Sequence, residues 1–180
     1  LLAGDLKPVK TAELGKAQRF DESGDRYIEF CKSTVPPEVS FESLRIVLDC
    51  ANGACYKVSP SILRELGAEV ILIGTEPDGY NINHECGSTH PERAQEEVIK
   101  QRADFGIALD GDGDRVVLID RKGNILDGDD IMYILAYANP NRTGPWNGIV
   151  GTAMTNLGFE EGVKKLGYKF KRADVGDKYV

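Results

Sequence analysis

One short segment carries most of the chemistry that this sequence could perform. The hexapeptide DGDGDR places Asp110, Asp112 and Asp114 at alternate positions, with a glycine between each pair and Arg115 after them. Three carboxylates in a tight loop repel one another and raise each other's pKa unless a cation lies among them. Mg²⁺ prefers oxygen ligands and commonly binds carboxylates together with the phosphate oxygens of a substrate. We therefore predict a magnesium site at these three aspartates, in preference to a solvated acidic turn.

The arginine that follows the acidic loop extends this interpretation to phosphate. A planar guanidinium beside a metal ion can hold two phosphate oxygens at once, so we predict phosphate binding at Arg115. A salt bridge to a carboxylate of the loop is the open alternative.

A calcium-binding EF-hand is excluded, because its loop needs Gly at the sixth position and Glu at the twelfth, between two helices. Arg115 and Arg121 occupy those positions here, and the flanking segments have the pattern of strands.

Other groups of potential metal ligands in the sequence are better explained without a bound metal ion. The acidic segment DGDD at 127–130 could bind a second cation, but acidic residues in the first turn of a helix also complement its dipole, and we favour helix capping. His84, Cys86 and His90 lack the ligand spacing of zinc sites. The four cysteines of the chain lack paired CxxC spacing, so we expect free thiols.

The composition of the chain narrows the classes of partner. It has 22 Lys and Arg against 29 Asp and Glu, a net charge of −7, whereas nucleic acid is bound chiefly by clustered basic side chains. No apolar run reaches the roughly 18 residues of a membrane-spanning helix, and the first ten residues lack the pattern of a secretory signal. We therefore expect a cytoplasmic protein that binds neither nucleic acid nor a membrane.

The acidic loop must be positioned by the elements around it, and hydrophobic patterning indicates what these are. Short apolar segments predict four strands, namely LRIVLD, EVILIG, FGIALD and RVVLID. Helices are expected over 23–33, over 59–67, from about Pro91 and from about Asp129. Such strand, helix, strand units favour parallel strands joined by right-handed crossovers. The predicted fold class is therefore α/β, a mixed and mostly parallel sheet flanked by helices, and the acidic loop follows the third strand directly.

Changes in composition predict how the chain divides into domains. The predicted parts are the tail of a preceding domain with a linker at 1–40, the metal-binding α/β domain at 41–140, a Pro-, Gly- and Asn-rich linker at 141–147, and the start of a second, similar α/β domain at 148–180. Asp177 and Lys178 come just past a strand of the last part. Cleft residues occur at such places in α/β domains, so we predict that these two side chains face a substrate cleft.

Whole segments of the sequence resemble the α-D-phosphohexomutase superfamily. DGDGDR at the end of a strand is similar to the magnesium loop of this superfamily, and LDCANGA resembles the turn that opens its second domain. The stretch ADFGIALDGDGDRVVLID is similar to the metal-loop segment throughout. Further segments resemble the bacterial phosphoglucosamine mutase branch more than phosphomannomutases or phosphoglucomutases: ELGKAQR, DRYIEFCK, NINHECGSTHPE, GIVGTAMTNLG and ADVGDKYV.

The resemblance implies an enzyme of four domains around a cleft. A phosphoserine lies in the first domain, the metal loop in the second, sugar contacts in the third and a phosphate site in the fourth. This chain would hold the end of the first domain, the second, and the start of the third. Its partners would be a glucosamine phosphate and the remaining domains of the same protein. No segment resembles the serine loop or the sugar loop, so no catalytic residue is assigned and the chain alone is expected to be inactive.

The implied reaction interconverts glucosamine 6-phosphate and glucosamine 1-phosphate through a bisphosphate, on the route to cell-wall amino sugars. Mg²⁺ on Asp110, Asp112 and Asp114 would be its cofactor. Two alternatives stay open: a phosphomannomutase or phosphoglucomutase, and a module without catalytic activity that binds metal or phosphate.

Overall fold

Within the residues that the structure describes, the main sheet has five strands in the order β2, β1, β3, β4, β5. The computed structural model describes residues 9–139 and 147–180. The strands are β1 Arg45–Asp49, β2 Glu69–Ile73, β3 Phe105–Leu109, β4 Val116–Asp120 and β5 Ile125–Leu126. β1 pairs in parallel with β2 and β3, and β4 is antiparallel to both β3 and β5. Four of the five strands therefore run in the same direction, and the mostly parallel sheet is confirmed.

Helices cover this sheet and connect its parallel strands. They are α1 Ser23–Ser33, α2 Val58–Glu65, α3 Glu92–Lys100 and α4 Gly128–Ala138. The bounds of α1 are those predicted, and it ends before the pair Pro36-Pro37, since the residue before a proline avoids helical dihedrals. α2 begins one residue earlier than Ser59. The capping interpretation of DGDD is confirmed, because the Asp127 carboxylate accepts hydrogen bonds from the backbone of Asp129 and Asp130.

The core of the main sheet explains why its central strand is apolar at consecutive positions. Ile46, Val47 and Leu48 of β1 are all buried, as expected for a parallel strand covered on both faces. Val47 belongs to a core cluster with Val98 of α3 and Ile119 of β4. Each such fully buried side chain contributes about 1.5–3 kcal/mol through the hydrophobic effect. This packing makes the ends of β1 and β3 a rigid support for the loops that follow them.

A second unit follows, built from β6 Gly148–Thr152, α5 Leu157–Lys165 and β7 Lys169–Ala173. β6 and β7 pair in parallel. The hydrophobic cluster of this unit includes Phe159 and Val163 of α5 together with Ala136 of α4. Tyr168 donates a hydrogen bond from its hydroxyl to the Ala136 carbonyl oxygen at 2.9 Å. α4, which follows the main sheet along the chain, therefore also packs against the second unit.

Three further predictions concern the linker, the cysteines and membrane-spanning segments. Residues 141–146 of the predicted linker lie outside the described ranges, as do residues 1–8. All four cysteines are free thiols. None of the helices in the part of the chain that the structure describes has both the length and the apolar character needed to span a bilayer.

Candidate metal centre

The acidic loop lies where the connections of the main sheet change direction. From β1 the chain crosses to β2 on one side, and from β2 it returns past β1 to β3 on the other. The carboxyl ends of β1 and β3 are therefore adjacent at a topological switch point, which is where ligands bind in open α/β sheets. Asp110 immediately follows β3, so the loop begins at this crevice.

Within the loop, three carboxylates converge. One oxygen from each of Asp110, Asp112 and Asp114 lies within 4.8 Å of the others. The loop is closed at its base by a backbone hydrogen bond from Asp110 N to Arg115 O at 3.3 Å, and Gly113 N donates to Asp110 O at 3.2 Å. Because side chains at alternate positions of a tight turn can point the same way, the three carboxylates can hold one metal ion.

Asp110 is the anchored member of the three. Its side chain is buried, Oδ1 accepts a hydrogen bond from the Arg115 backbone N–H at 3.0 Å, and Oδ2 accepts one from Arg115 Nε at 2.8 Å. Burial by itself raises the pKa of this carboxyl, but the hydrogen bonds and positive charge of Arg115 outweigh burial, so the pKa of Asp110 is lowered. Asp110 is therefore held ionised and in a fixed orientation.

Asp112 and Asp114 are exposed and repel each other. The negative charge of Asp112 is the main reason why the pKa of Asp114 is raised, with smaller contributions from partial desolvation and from Asp110. Two exposed carboxylates beside a buried one concentrate negative charge at one point of the surface. A divalent cation relieves this repulsion directly, whereas a loop whose only role was to turn the chain would gain nothing from it.

Arg115 forms the salt bridge that the sequence left open as an alternative to phosphate binding. Its Nε lies 2.8 Å from Asp110 Oδ2 and 3.7 Å from Asp114 Oδ1. The side chain is nevertheless 62% exposed, and its terminal nitrogens make no hydrogen bond within 9–139 and 147–180. The guanidinium is thus oriented by the loop through one edge and presents the other edge to solvent.

The turn after β1 contacts the backbone of the acidic loop. Ala54 N donates a hydrogen bond to Gly111 O at 2.8 Å. A methyl group added to Gly53 would overlap the carbonyl of Gly111 and lie 2.6 Å from its Cα. The segment containing Asn52 and Gly53 is a turn, as the sequence predicts, but it also contacts the backbone of the acidic loop, and this second role carried no signal in the sequence.

Asp49, at the end of β1, is a further residue that sequence reasoning did not single out. Its carboxylate is fully buried, with Oδ1 accepting from Ala51 N at 2.9 Å and Oδ2 from Gly87 N at 2.7 Å. Ser88 N in turn donates to Leu109 O, the last residue before the loop. Asp49 therefore joins the end of β1 to the segment around Gly87, and the Ser88 bond joins that segment to the end of β3. An acidic residue at the end of an otherwise apolar strand was the one available signal.

The remaining predicted site residues lie elsewhere. Asp177 and Lys178 belong to a short 3₁₀ turn, Asp177–Tyr179, after β7 in the second unit. No hydrogen bond or ion pair joins them to the acidic loop in the ranges that the structure covers. His84 and His90 are exposed while Cys86 is buried. Among the described residues, the three aspartates form the one cluster of potential metal ligands.

The chain matches two family models. One describes phosphoglucomutase/phosphomannomutase α/β/α domain II and covers residues 25–123, and the other describes domain III of the same family and covers residues 127–180. A solved structure of a phosphoglucomutase/phosphomannomutase family protein from Burkholderia thailandensis superposes with a TM-score of 0.73 at 24% identity. It covers 87% of this chain and 34% of that protein. This likeness supports the fold.

Curated relatives are much closer in sequence. The phosphoglucosamine mutase of Hahella chejuensis is 56% identical over 175 residues, which are 97% of this chain and 39% of that protein. The phosphoglucosamine mutase of Thioalkalivibrio sulfidiphilus is 54% identical over 177 residues, again 97% of this chain and 39% of the relative. The chain thus spans about two fifths of the length of these relatives. It belongs to the phosphoglucomutase/phosphomannomutase family.

Proposed function

We propose that Asp110, Asp112 and Asp114 bind Mg²⁺ for phosphoryl transfer. The observation that carries this proposal is the convergence of three carboxylate oxygens within 4.8 Å at the carboxyl end of β3. The donor set fits the ion, because Mg²⁺ takes oxygen ligands and keeps coordination positions for phosphate and water. When bound, the ion neutralises negative charge on the phosphoryl group being transferred.

The residues around the ion then have separate roles. Asp110 is fixed by Arg115 and would provide a preorganised ligand, whereas Asp112 and Asp114 are exposed and would bind the ion from the solvent side. Arg115 presents its free guanidinium edge beside them, and we assign it to phosphate oxygens. The salt bridge to Asp110 supports this assignment, because it orients the guanidinium without using its terminal nitrogens.

For the whole protein we propose phosphoglucosamine mutase activity, the interconversion of glucosamine 6-phosphate and glucosamine 1-phosphate. The support is the identity of 52–56% with curated proteins of that name. Residues 41–140 would be the metal-binding domain and residues 148–180 the start of the next. The phosphoserine and the sugar loop would come from other domains of the whole protein, with Asp177 and Lys178 lining the cleft between them.

A phosphomannomutase or phosphoglucomutase is the second candidate, favoured by the name of the family models.

The metal site is tested by titrating the chain with Mn²⁺ and following water proton relaxation. Asp112→Asn removes one ligand charge and should weaken Mn²⁺ binding by more than about tenfold, since even residues that only support metal ligands are worth 10–100-fold. Asp25→Asn, at an exposed position of α1, removes the same charge from outside the acidic loop and should bind like the unmodified chain. Equal affinity for all three proteins would refute the site.

The activity is tested in a chimera. The matching segment of the Hahella chejuensis enzyme is replaced by this chain, which aligns with it over 175 residues. We expect the chimera to form glucosamine 1-phosphate from glucosamine 6-phosphate, and the same chimera with Asp112→Asn to lose this activity. A chimera that turned over mannose 6-phosphate or glucose 6-phosphate in preference would favour the second candidate.

A further inference from the structure

Two exposed apolar side chains occur close together in the segment between β2 and α3. Tyr80 is 94% exposed, the largest exposed fraction among the large apolar and aromatic side chains in residues 9–139 and 147–180, and Ile82 is 53% exposed. Apolar side chains that are scattered singly over a surface need no explanation. These two are separated by one residue, and one of them adjoins the proposed metal site.

Ile82 is the side chain that adjoins the acidic loop. A methyl group added to Gly111 would lie 2.6 Å from Ile82 Cδ1 and 2.7 Å from its Cγ1. The side chain therefore packs against the glycine that separates Asp110 from Asp112, while about half of it stays exposed. The exposed surface of the metal loop and the exposed surface of Ile82 are thus direct neighbours.

The segment that carries both side chains is held at each end to the turn after β1. At one end Glu76 N donates a hydrogen bond to Asn52 Oδ1 at 3.1 Å. At the other end Asn83 N donates to Ala51 O at 2.9 Å. Between them, Tyr80 N donates to a carboxylate of the same segment at 2.8 Å. A tyrosine on a fixed backbone loses little conformational entropy when it is buried, and aromatic side chains are enriched in protein interfaces.

We propose that Tyr80 and Ile82 form a docking surface for the phosphoserine-bearing domain of the whole protein. This inference rests on the proposed function, in which that domain supplies the phosphoserine. Phosphoryl transfer requires the phosphoserine to be held in line beside the metal ion, so its domain must reach the acidic loop, where Ile82 packs against Gly111. The chain is 39% of the length of its relatives, which leaves ample sequence for such a domain.

Photo-crosslinking in the chimera tests which part of the protein covers this surface. The photoreactive residue p-benzoylphenylalanine is introduced in place of Tyr80, and the cross-linked peptides are identified by mass spectrometry. We expect cross-links to the part of the Hahella chejuensis enzyme that precedes the replaced segment, where the resemblance places the phosphoserine. Cross-links only to the part that follows the segment, cross-links only between two copies of the chimera, or no cross-links at all would overturn the proposal.

Substitutions at Tyr80 test whether the contact matters for activity. In the chain alone, Tyr80→Ser should leave Mn²⁺ affinity and the urea midpoint unchanged, because nearly all of its side chain is exposed. In the chimera, Tyr80→Ser should lower both the urea midpoint and turnover, the latter by about tenfold, as for loss of an interface aromatic.

Tyr80→Phe is the matched control, since it keeps the ring and should behave like the unmodified chimera. An unchanged urea midpoint and turnover for Tyr80→Ser in the chimera would contradict the docking surface, and so would weaker Mn²⁺ binding by that variant of the chain alone. If the unmodified chimera formed no glucosamine 1-phosphate, the proposed function itself would fail, whereas an active chimera that tolerates Tyr80→Ser would reject this inference alone.

Discussion

Gly53→Ala should disturb the metal loop from the opposite side of the switch point. The added methyl group would overlap the Gly111 carbonyl and lie 2.6 Å from Gly111 Cα and 2.7 Å from its carbonyl carbon. These are backbone atoms, so no side-chain rotation can relieve the overlap and the two loops must separate. Overpacking of this kind typically costs about 1–3 kcal/mol. Losing the hydrogen bond from Ala54 N to Gly111 O would add about 0.5–1.5 kcal/mol.

The assay combines urea unfolding with Mn²⁺ titration. Gly53→Ala should lose about 2–4 kcal/mol of unfolding free energy and bind Mn²⁺ more weakly, because the displaced loop no longer brings its carboxylates together. Gly24→Ala is the matched control: an added methyl group there meets no atom within 4 Å, and alanine in helix α1 should stabilise the protein by up to about 1 kcal/mol. If Gly53→Ala kept both its stability and its Mn²⁺ affinity, the contact between the two loops would not support the metal site.

Three further predictions concern the arginine, a buried thiol and the chain as a whole. In the chimera, Arg115→Lys should lower turnover more than metal affinity, because lysine cannot make a planar two-point phosphate contact; equal losses would indicate a purely structural salt bridge. Burial raises the pKa of Cys50 from 9.0 to about 12. The folded state therefore favours the neutral thiol, so its contribution to stability is present below pH 9 and is lost as the pH rises towards 12. Urea unfolding at several alkaline pH values should show this loss, and Cys50→Ala should reduce it. The chain alone should form no glucosamine 1-phosphate from glucosamine 6-phosphate with Mg²⁺ and a bisphosphate primer, because phosphoryl transfer needs donor and acceptor held in line; turnover would contradict the assigned domain roles.

Local patterns were sufficient to predict four of the five strands of the main sheet, but not the two-residue strand β5. The apolar segments at β1 and β3 predicted strands, and the proline pair after α1 marked its end. The alternation of aspartate and glycine in DGDGDR likewise predicted which carboxylates would converge, since residues so close along the chain can meet without help from the rest of the fold. These predictions depend on backbone propensity, side-chain period and charge, all of which are properties of short segments.

The sequence by itself therefore determined the identity of the acidic loop, its place directly after a strand, and the α/β class. Only the tertiary structure decided what surrounds the loop. Asp49 accepts a hydrogen bond from Gly87, 38 positions away, and Gly53 and Asn83 meet Gly111 across the switch point. The physical reason is that adjacent parallel strands bring their carboxyl ends together from distant parts of the chain. Which side chains then touch depends on close packing of the whole sheet, and no short segment encodes that result.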